Sequence, residues 1–324
     1  MEFILLPIAI AFLISVGCVP VVMKFSHRNG WYDEPNPRKI HNKKVPRLGG
    51  IAIFLAFLAA VLITSAFVGP GLKLAPYLYI LISFTLIHVL GIVDDFINIP
   101  ALFKLAGQIA AAVLVLVGGW AIQSFTIPFT ETTLSIPVVG FLLTGLWIVG
   151  MTNAINLIDG LDGFASIITI IAFAFIGIFS LGSESLFTPV ASFALVGGVL
   201  GFFVFNRPPA KLFMGDSGSM FLGFSLAVIP LINGGHHGSA SALVLPVTLL
   251  IIPIVDTVSA ISRRVANRQR IHSPDMAHIH HVLIGLGLSN KAILLLVFGF
   301  MTVLGAAELL LIRNARSIWI LGSV

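Results

Sequence analysis

The sequence is poor in charge and carries a single cysteine. Only 10% of its 324 residues are Asp, Glu, Lys or Arg, against 58% that are hydrophobic, and the mean hydropathy is +1.07. Soluble globular domains carry about 25% charged residues, so this composition excludes that class. The lone cysteine, Cys18, lies in an apolar run. It excludes a disulfide within this sequence and a Cys-based metal site, and we interpret it as a small core residue.

Long apolar runs are what the sequence has instead, and they predict an all-α polytopic integral membrane protein. A transmembrane helix needs about 20 mostly apolar residues. The run from Phe3 to Met23 is too long for a signal peptide and follows no basic segment, so we expect it to remain as a span. The ten predicted spans are 3–23, 48–68, 75–93, 103–120, 136–153, 164–181, 187–205, 218–233, 241–261 and 292–312. The apolar tail 317–323 is too short to cross and is at most the stub of an eleventh helix.

We expect a single transmembrane domain over residues 1–324, because no linker or clear repeat divides the chain. Basic residues divide its loops into two sets. Lys73, Arg313 and Arg316 fall in one set, and the other fifteen Lys and Arg fall in loops 24–47, 94–102, 154–163, 206–217 and 262–291 or, for Lys104, at their border. Cytoplasmic loops collect Lys and Arg, so the second set is predicted to be cytoplasmic and the N-terminus outside. The same rule explains the basic excess without nucleic acid as a partner.

All eight aspartates fall at or just beyond this predicted cytoplasmic side. Carboxylates near a bilayer are costly to bury and usually mark function. Beside Asn, Lys, Arg and His residues, they predict a metal–phosphate site built from loops between helices. They are Asp33, Asp94, Asp95, Asp159, Asp162, Asp216, Asp256 and Asp275.

Asp94 and Asp95 close the third predicted span, and Lys104 follows at the start of the next helix. Adjacent carboxylates can orient a metal-bound phosphate or accept a proton from a nucleophile. A lysine at the same membrane surface can pair with pyrophosphate. A solvated helix end and an interface lysine explain the same residues, so this motif alone leaves the function open.

The segment from Asn153 to Gly163 is far more specific. Asn153 and Asn156 are three residues apart and share a helix face. Asp159 and Asp162 each precede a glycine, which permits a tight turn. These amides and carboxylates supply oxygen ligands suited to a hard cation such as Mg²⁺. An ordinary polar turn does not need so many oxygens, so we interpret the segment as functional.

A second glycine-rich segment, Phe213 to Ser219, precedes the eighth predicted span. Asp216 can ligate a cation, and the serines can cap the following helix, whose N-terminus favours an anion. An N-cap alone explains the serines but not the flanking glycines. Phe213 can stack on a nucleobase, although an apolar residue at the membrane interface is the commoner role.

The last predicted cytoplasmic loop combines arginines with histidines. The arginines, which are Arg263, Arg264, Arg268 and Arg270, suit pyrophosphate recognition, although a positive-inside loop explains them equally. That rule does not explain His278, His280 and His281. No familiar zinc pattern is complete, so phosphate or proton chemistry is the better interpretation. We interpret Asp256 of the ninth span as a salt-bridge partner of this loop.

Together these motifs resemble the polyprenyl-phosphate N-acetylhexosamine-1-phosphate transferases. The resemblance rests on Asp94-Asp95 with Lys104, Asn153 to Gly163, Gly215 to Ser219, His278 to His281, and the first-loop segments Pro35 to Lys39 and Pro46 to Gly50. The His-x-His-His ending is more similar to the bacterial branch that starts O-antigen, enterobacterial common antigen or teichoic-acid linkage synthesis than to the peptidoglycan branch. The family commonly has a basic residue where this chain has Val282, and it usually has eleven spans.

The resemblance implies transfer of an N-acetylhexosamine 1-phosphate, foremost GlcNAc-1-phosphate, from a UDP-sugar to undecaprenyl phosphate with release of UMP. The site would face the cytoplasm at a bacterial inner membrane, and the family relationship leaves room for a homodimer. Phospho-MurNAc-pentapeptide transferase activity is the nearest alternative. A secondary transporter of anionic solutes is an alternative of a different class, although transporters place their sites near the midplane.

The resemblance also implies a role for each candidate residue. Mg²⁺, or Mn²⁺ in its place, would be held by Asp216 and Asn156. Asp94 or Asp95 would assist the attacking lipid phosphate, and Lys104 would contact the pyrophosphate. His280 and His281 would be catalytic residues on the sugar-phosphate side. The remaining candidates are implied to bind the substrate, with Asp162 at the uracil edge, Phe213 against the base, His278, Arg263 and Arg264 at the sugar-phosphate, and Asn153 and Asp159 beside them.

Overall fold

The computed structural model describes residues 2–33, 44–69, 72–126, 133–183, 185–233, 238–239, 243–269 and 277–322. The first-loop segment Pro35 to His41, and with it Arg270 and Asp275, lies outside the described residues. Twelve helices are described: α1 (Glu2–Asn29), α2 (Gly49–Val68), α3 (Leu78–Ile97), α4 (Ala101–Val117), α5 (Pro137–Ile158), α6 (Phe164–Phe179), α7 (Phe187–Asn206), α8 (Gly215–Ile232), α9 (Val244–Leu249), α10 (Ile251–Ala266), α11 (Ile279–Gly285) and α12 (Asn290–Gly322).

Eight of these helices are long and apolar enough to cross a membrane, which confirms the all-α polytopic class. They are α1, α2, α3, α5, α6, α7, α8 and α12. The fourth predicted span is the shorter helix α4, whose 17 residues rise about 26 Å against a hydrocarbon core of about 30 Å.

The ninth predicted span, 241–261, is not one helix. It breaks at Leu250 into α9 and α10. Pro253 explains the break, because its ring clashes with the carbonyl of the residue four positions earlier and its nitrogen has no hydrogen to donate. Proline is tolerated in the first turn of a helix, so a new helix begins at Ile251. The predicted stub at 317–323 is not a separate element either, because α12 runs without interruption to Gly322.

Short strands lie at both ends of the helices. β1 (Tyr32–Asp33) and β2 (Val45–Pro46) form an antiparallel pair after α1. β3 (Ile122–Thr126) pairs antiparallel with β4 (Thr133–Ser135) and parallel with β5 (Gly238–Ser239), in the order β4-β3-β5. Since β3 follows the C-terminus of α4, this sheet lies at the end opposite to Asp94 and Asp95.

Helix α8 lies at the centre and packs against α2, α3, α5, α6 and α7. Every residue from Ser217 to Ile232 is buried. Glycine permits this packing: a Cβ on Gly50 of α2 would lie 2.2 Å from the Gly218 nitrogen, and one on Gly91 of α3 would lie 2.4 Å from the Ser217 Cα. Small residues at helix interfaces let backbones approach closely in membranes. The first turn of α8 is therefore held by the ends of α2 and α3.

Candidate active site

Three charged side chains meet where α3, α4 and α8 come together. The Lys104 ammonium lies 2.6 Å from Asp94 Oδ2 and 2.8 Å from Asp216 Oδ1. The Asp94 side chain is 7% exposed and that of Asp216 is 29% exposed, so the cluster opens to the surface at Asp216. These residues are up to 122 positions apart in the sequence. The ends of their helices bring them together at one surface, where the motifs predicted them.

Asp95, next to Asp94, accepts hydrogen bonds from the backbone of α8. Its Oδ1 accepts from the Asp216 nitrogen at 2.8 Å and its Oδ2 from the Ser217 nitrogen at 3.0 Å. The first N–H groups of a helix have no partner inside it and attract negative charge. Arg47 donates to the carbonyl oxygen of Asp95. Asp95 thus caps α8 from another helix and fixes where Asp216 stands.

Helix α5 contributes an amide to the same cluster. Asn156 donates from Nδ2 to Asp216 Oδ1, and to Ser219 Oγ at 2.8 Å. Asn153, one turn earlier, exchanges hydrogen bonds of 2.7 and 3.3 Å with the buried Gln108 of α4. The two asparagines share a face as predicted, but the structure brings only Asn156 into contact with Asp216, while Asn153 joins α5 to α4. No sequence motif singled out Gln108.

The turn after α5 is tied to the segment that leads into α8. Asp162 accepts from the Ala210 nitrogen at 2.9 Å. Asn206, buried at the end of α7, accepts from the Gly163 nitrogen at 3.1 Å and donates to the Leu212 carbonyl at 3.0 Å. Our sequence analysis missed Asn206. An amide at the end of an apolar span, directly before Arg207 and two prolines, was the signal that could have found it.

The pKa of Asp159 is shifted by its surroundings in this turn. Burial, and then the negative charges of Asp216, Asp95 and Asp162, raise the pKa of the Asp159 carboxyl well above its ordinary value. Like charges close together disfavour ionisation of one another. Negative charge from these three residues therefore acts on Asp159, and a cation nearby would offset part of it.

The histidine segment reaches the same turn. His278 donates from Nδ1 to Asp256 Oδ2 at 2.8 Å, which agrees with a bond from Asp256 to this loop. A Cβ on Gly160 would lie 2.8 Å from His280 Nε2, so His280 abuts the turn. The His281 ring lies 4.4 Å from that of His280. Burial, and then the neighbouring His281 and His278, lower the pKa of His280 to about 4, so its ring is neutral at pH 7.

The structure also places three further predicted residues. Phe213 is half-buried just before α8, and its nitrogen donates to the Pro46 carbonyl at 2.8 Å. Arg263 and Arg264 occupy the last turn of α10, which packs against α5. Their roles in substrate binding stay predictions, as do those of the other candidates.

The donor set fits Mg²⁺. Carboxylate and hydroxyl oxygens of Asp94, Asp216 and Ser219 lie around the side-chain amide of Asn156 and the side-chain amine of Lys104, and Mg²⁺ prefers oxygen ligands. Among the residues that the structure describes, no three Asp, Glu, His or Cys side chains form a ready-made metal cage. Mg²⁺ is usually bound by one or two carboxylates together with substrate phosphates, so such a cage is not needed.

The fold and the cluster define a class: polytopic membrane proteins with a cluster of charged side chains at one end of the helices. Comparison with known proteins defines the family. Residues 77–234 match the family described as glycosyl transferase family 4. The chain is 35% identical over 319 residues to a probable undecaprenyl-phosphate N-acetylglucosaminyl 1-phosphate transferase of Bacillus subtilis (strain 168), covering 97% of this chain and 87% of that protein.

Two other relatives extend the match. A decaprenyl-phosphate N-acetylglucosaminephosphotransferase of Mycobacterium leprae (strain TN) is 35% identical over 291 residues, or 82% of this chain and 72% of the relative. A phospho-N-acetylmuramoyl-pentapeptide-transferase of Listeria monocytogenes serotype 4b (strain CLIP80459) is 35% identical over 240 residues, or 69% of this chain and 73% of the relative. The chain belongs to the polyprenyl-phosphate N-acetylhexosamine-1-phosphate transferase family, and the resemblance of its motifs is confirmed.

Proposed function

We propose that the protein transfers N-acetylglucosamine 1-phosphate from UDP-N-acetylglucosamine to undecaprenyl phosphate and releases UMP. The reaction takes place at the cytoplasmic face of a bacterial inner membrane, with the N-terminus of the chain outside. It is the first membrane step in making a cell-envelope polysaccharide. The sugar is the one in the names of the Bacillus and mycobacterial relatives. Undecaprenyl phosphate is the acceptor in the name of the Bacillus relative, whereas the mycobacterial name gives decaprenyl phosphate.

One observation carries the proposal: the Lys104 ammonium lies between Asp94 and Asp216 at an end of the membrane helices. Such a site serves a reaction between two phosphate compounds that arrive by different routes. The UDP-sugar comes from water, whereas the lipid acceptor arrives through the bilayer with its phosphate at the interface. A site within the apolar core would be open to the second substrate but not to the first.

The chemistry is a phosphoryl-type transfer. An oxygen of the lipid phosphate attacks the sugar-linked phosphorus, a new P–O bond forms, and the bond from that phosphorus to the bridging oxygen breaks as UMP leaves. Catalysis of such transfers is mostly positioning and charge stabilisation. Lys104 offsets charge on the pyrophosphate. Arg263, Arg264 and the histidine segment hold the sugar-phosphate side, and Asp162 and Phe213 hold the uridine.

Mg²⁺ is the proposed cofactor, with Asp216 and Asn156 as its protein ligands and Mn²⁺ as a substitute. When bound, the cation neutralises charge on the pyrophosphate oxygens. The raised pKa of Asp159 supports a cation here, because, after burial, the negative charges of Asp216, Asp95 and Asp162 contribute to it.

The hydrogen bonds favour different roles for the two adjacent aspartates. Both oxygens of Asp95 are held by backbone N–H groups of α8. Asp94 Oδ1 accepts from the Ile99 nitrogen at 2.7 Å. In the described part of the structure, the partner of Asp94 Oδ2 is the flexible end of the Lys104 side chain rather than a backbone group. Asp94 is therefore the better candidate to assist the lipid phosphate, and Asp95 holds α8.

The test uses purified protein with undecaprenyl phosphate, Mg²⁺ and a set of donors: UDP-GlcNAc, UDP-GalNAc and UDP-MurNAc-pentapeptide. UMP and lipid product are followed together. We expect product from UDP-GlcNAc, and none in EDTA. Lys104→Gln should lower kcat/KM by about 10²-fold or more, by analogy with the loss of one charge-stabilising group. Lys73→Gln, an exposed lysine of the other set of loops, is the matched control and should leave it unchanged.

If only UDP-MurNAc-pentapeptide gave product, the proposed reaction would be wrong and the protein would carry out the reaction of the peptidoglycan branch. Full turnover in EDTA would exclude the cation. Flux of an anionic solute into proteoliposomes, with no lipid product from any donor, would favour a transporter.

A further inference from the structure

Asp256 is a buried carboxylate in α10 that lies outside the cluster of Asp94, Lys104 and Asp216. It is 5% exposed. Its Oδ2 accepts from His278 Nδ1 and its Oδ1 from the Ile279 nitrogen, each at 2.8 Å. One carboxylate thus holds a side chain and the adjacent backbone group. Burying a carboxylate costs free energy unless its charge is hydrogen-bonded. Both bonds therefore stabilise Asp256 in its buried position.

The bond to His278 fixes which ring nitrogen carries the hydrogen. A carboxylate is an acceptor, so Nδ1 must donate, and Nε2 is left on the far side of the ring as the group available for a substrate. Carboxylate–histidine pairs of this kind orient the ring and set its tautomer in metal and catalytic sites.

The bond to Ile279 extends this control to the next histidine. Ile279 is the first residue of α11, so Asp256 caps that helix at its N-terminus. One residue later, the His280 ring lies nearly parallel to that of His278, with centroids 5.9 Å apart, and abuts Gly160. Asp256 thereby connects α10, the histidine segment and the turn that carries Asp159.

We propose that Asp256 is a positioning residue of the transferase reaction: it orients His278 with Nε2 toward the substrate and seats residues 278–281 against the Asp159–Gly163 turn. The proposal rests on the proposed function for the reaction that it serves. Its structural part, the seating of the histidine segment, stands on the contacts alone.

The activity test is a double-mutant cycle. Asp256→Asn keeps one acceptor oxygen for the Ile279 nitrogen but loses the carboxylate that orients His278. We expect kcat to fall about tenfold or more while KM for UDP-GlcNAc changes less, because orienting partners of histidines typically contribute that much. In a His278→Ala background the same change should have little further effect, since residues that act through one another are not additive.

Thr257→Val is the matched control, because Thr257 is the next residue of α10 and its buried hydroxyl has no hydrogen-bond partner among the residues that the structure describes. It should leave both constants at the wild-type values. An unchanged kcat in Asp256→Asn, or the same loss with and without His278, would overturn the role in the reaction.

Hydrogen exchange tests the seating independently of turnover. In Asp256→Ala, amides of α11 (Ile279–Gly285) should exchange faster than in wild type and Thr257→Val. Wild-type protection in Asp256→Ala would overturn the seating. If wild-type protein makes no product from any donor, the proposed function and the role of Asp256 in it both fail, while the exchange rates still decide the seating.

Discussion

At the scale of single residues, His280 links stability to pH. Its pKa is lowered from 6.5 to about 4 in the folded protein, chiefly by burial. The unfolded chain therefore takes up this proton first as the pH falls. The stability that neutral His280 allows is fully present above pH 6.5 and is lost as the pH falls through about 4. The linked loss of stability is on the order of 3–4 kcal/mol at most, from about 1.4 kcal/mol per pKa unit.

We therefore expect the thermal midpoint in detergent to fall between pH 7.5 and pH 4.5, and to fall less in His280→Gln than in wild type. His27→Gln, which changes an exposed histidine of α1, should follow the wild-type curve. If the midpoint fell equally with pH in His280→Gln and in wild type, burial of this ring would not control the loss of stability in acid.

The two adjacent aspartates should separate activity from stability. Asp94→Asn should lower kcat by about 10²–10⁴-fold, the usual effect of losing a group that assists a nucleophile, with little change in the thermal midpoint. Asp95→Asn offers one acceptor oxygen to two N–H groups of α8, and an unsatisfied buried donor costs about 1–3 kcal/mol. It should lower both activity and midpoint. Midpoints that fall equally in both variants would remove the distinction.

At the scale of elements, the contact between α3 and α8 sets the cluster. A Cβ on Gly91 would lie 2.4 Å from the Ser217 Cα and 2.6 Å from the Asp216 carbonyl oxygen, and backbone atoms cannot move aside alone. Gly91→Ala should therefore push the helices apart, lower activity at least tenfold, and lower the midpoint, although alanine favours a helix by about 1 kcal/mol.

Gly299→Ala in α12 is the control, because a Cβ there meets no atom of the described part of the chain within 4 Å. It should keep wild-type activity and a midpoint at or above that of wild type. If Gly91→Ala behaved in the same way, the contact would not control the position of Asp216.

The elements differ in how far the sequence could predict them. Membrane spans depend on a local property, apolar length, and most were found within a few residues. The break at Leu250 depends on Pro253, which lies within a run whose apolar length alone predicts one continuous span. Partners across helices have no local signature: the Asp95 carboxylate and the nitrogen of Asp216 are 121 residues apart, and Asn153 and Gln108 are 45 apart. The sequence therefore predicted which residues gather, but not that Asp95 caps α8 or that Asn153 faces α4.

At the scale of the whole molecule, the distribution of basic residues predicts its orientation. In a Cys18→Ser background, Lys73→Cys and Lys211→Cys place single reporters at exposed positions in the two sets of loops. A membrane-impermeant maleimide should modify position 73 on intact cells and position 211 only after the membrane is opened. The reverse pattern would place the N-terminus and the aspartates on the other sides.

The central position of α8 has a consequence for biosynthesis. Five helices that pack against α8 precede it in the chain, namely α2, α3, α5, α6 and α7, whereas the short helix α9, which contacts it less, follows it. Because a chain is synthesised from its N-terminus, these five helices are made before α8 leaves the ribosome. Helix α8, the least apolar of the eight candidate spans, thus enters a surface of protein rather than lipid. Asp216 joins Asp94, Lys104 and Asn156 only at that stage of synthesis. A nascent chain that stops before Gly215 therefore carries the two donors to Asp216, Lys104 and Asn156, without the carboxylate that accepts from them.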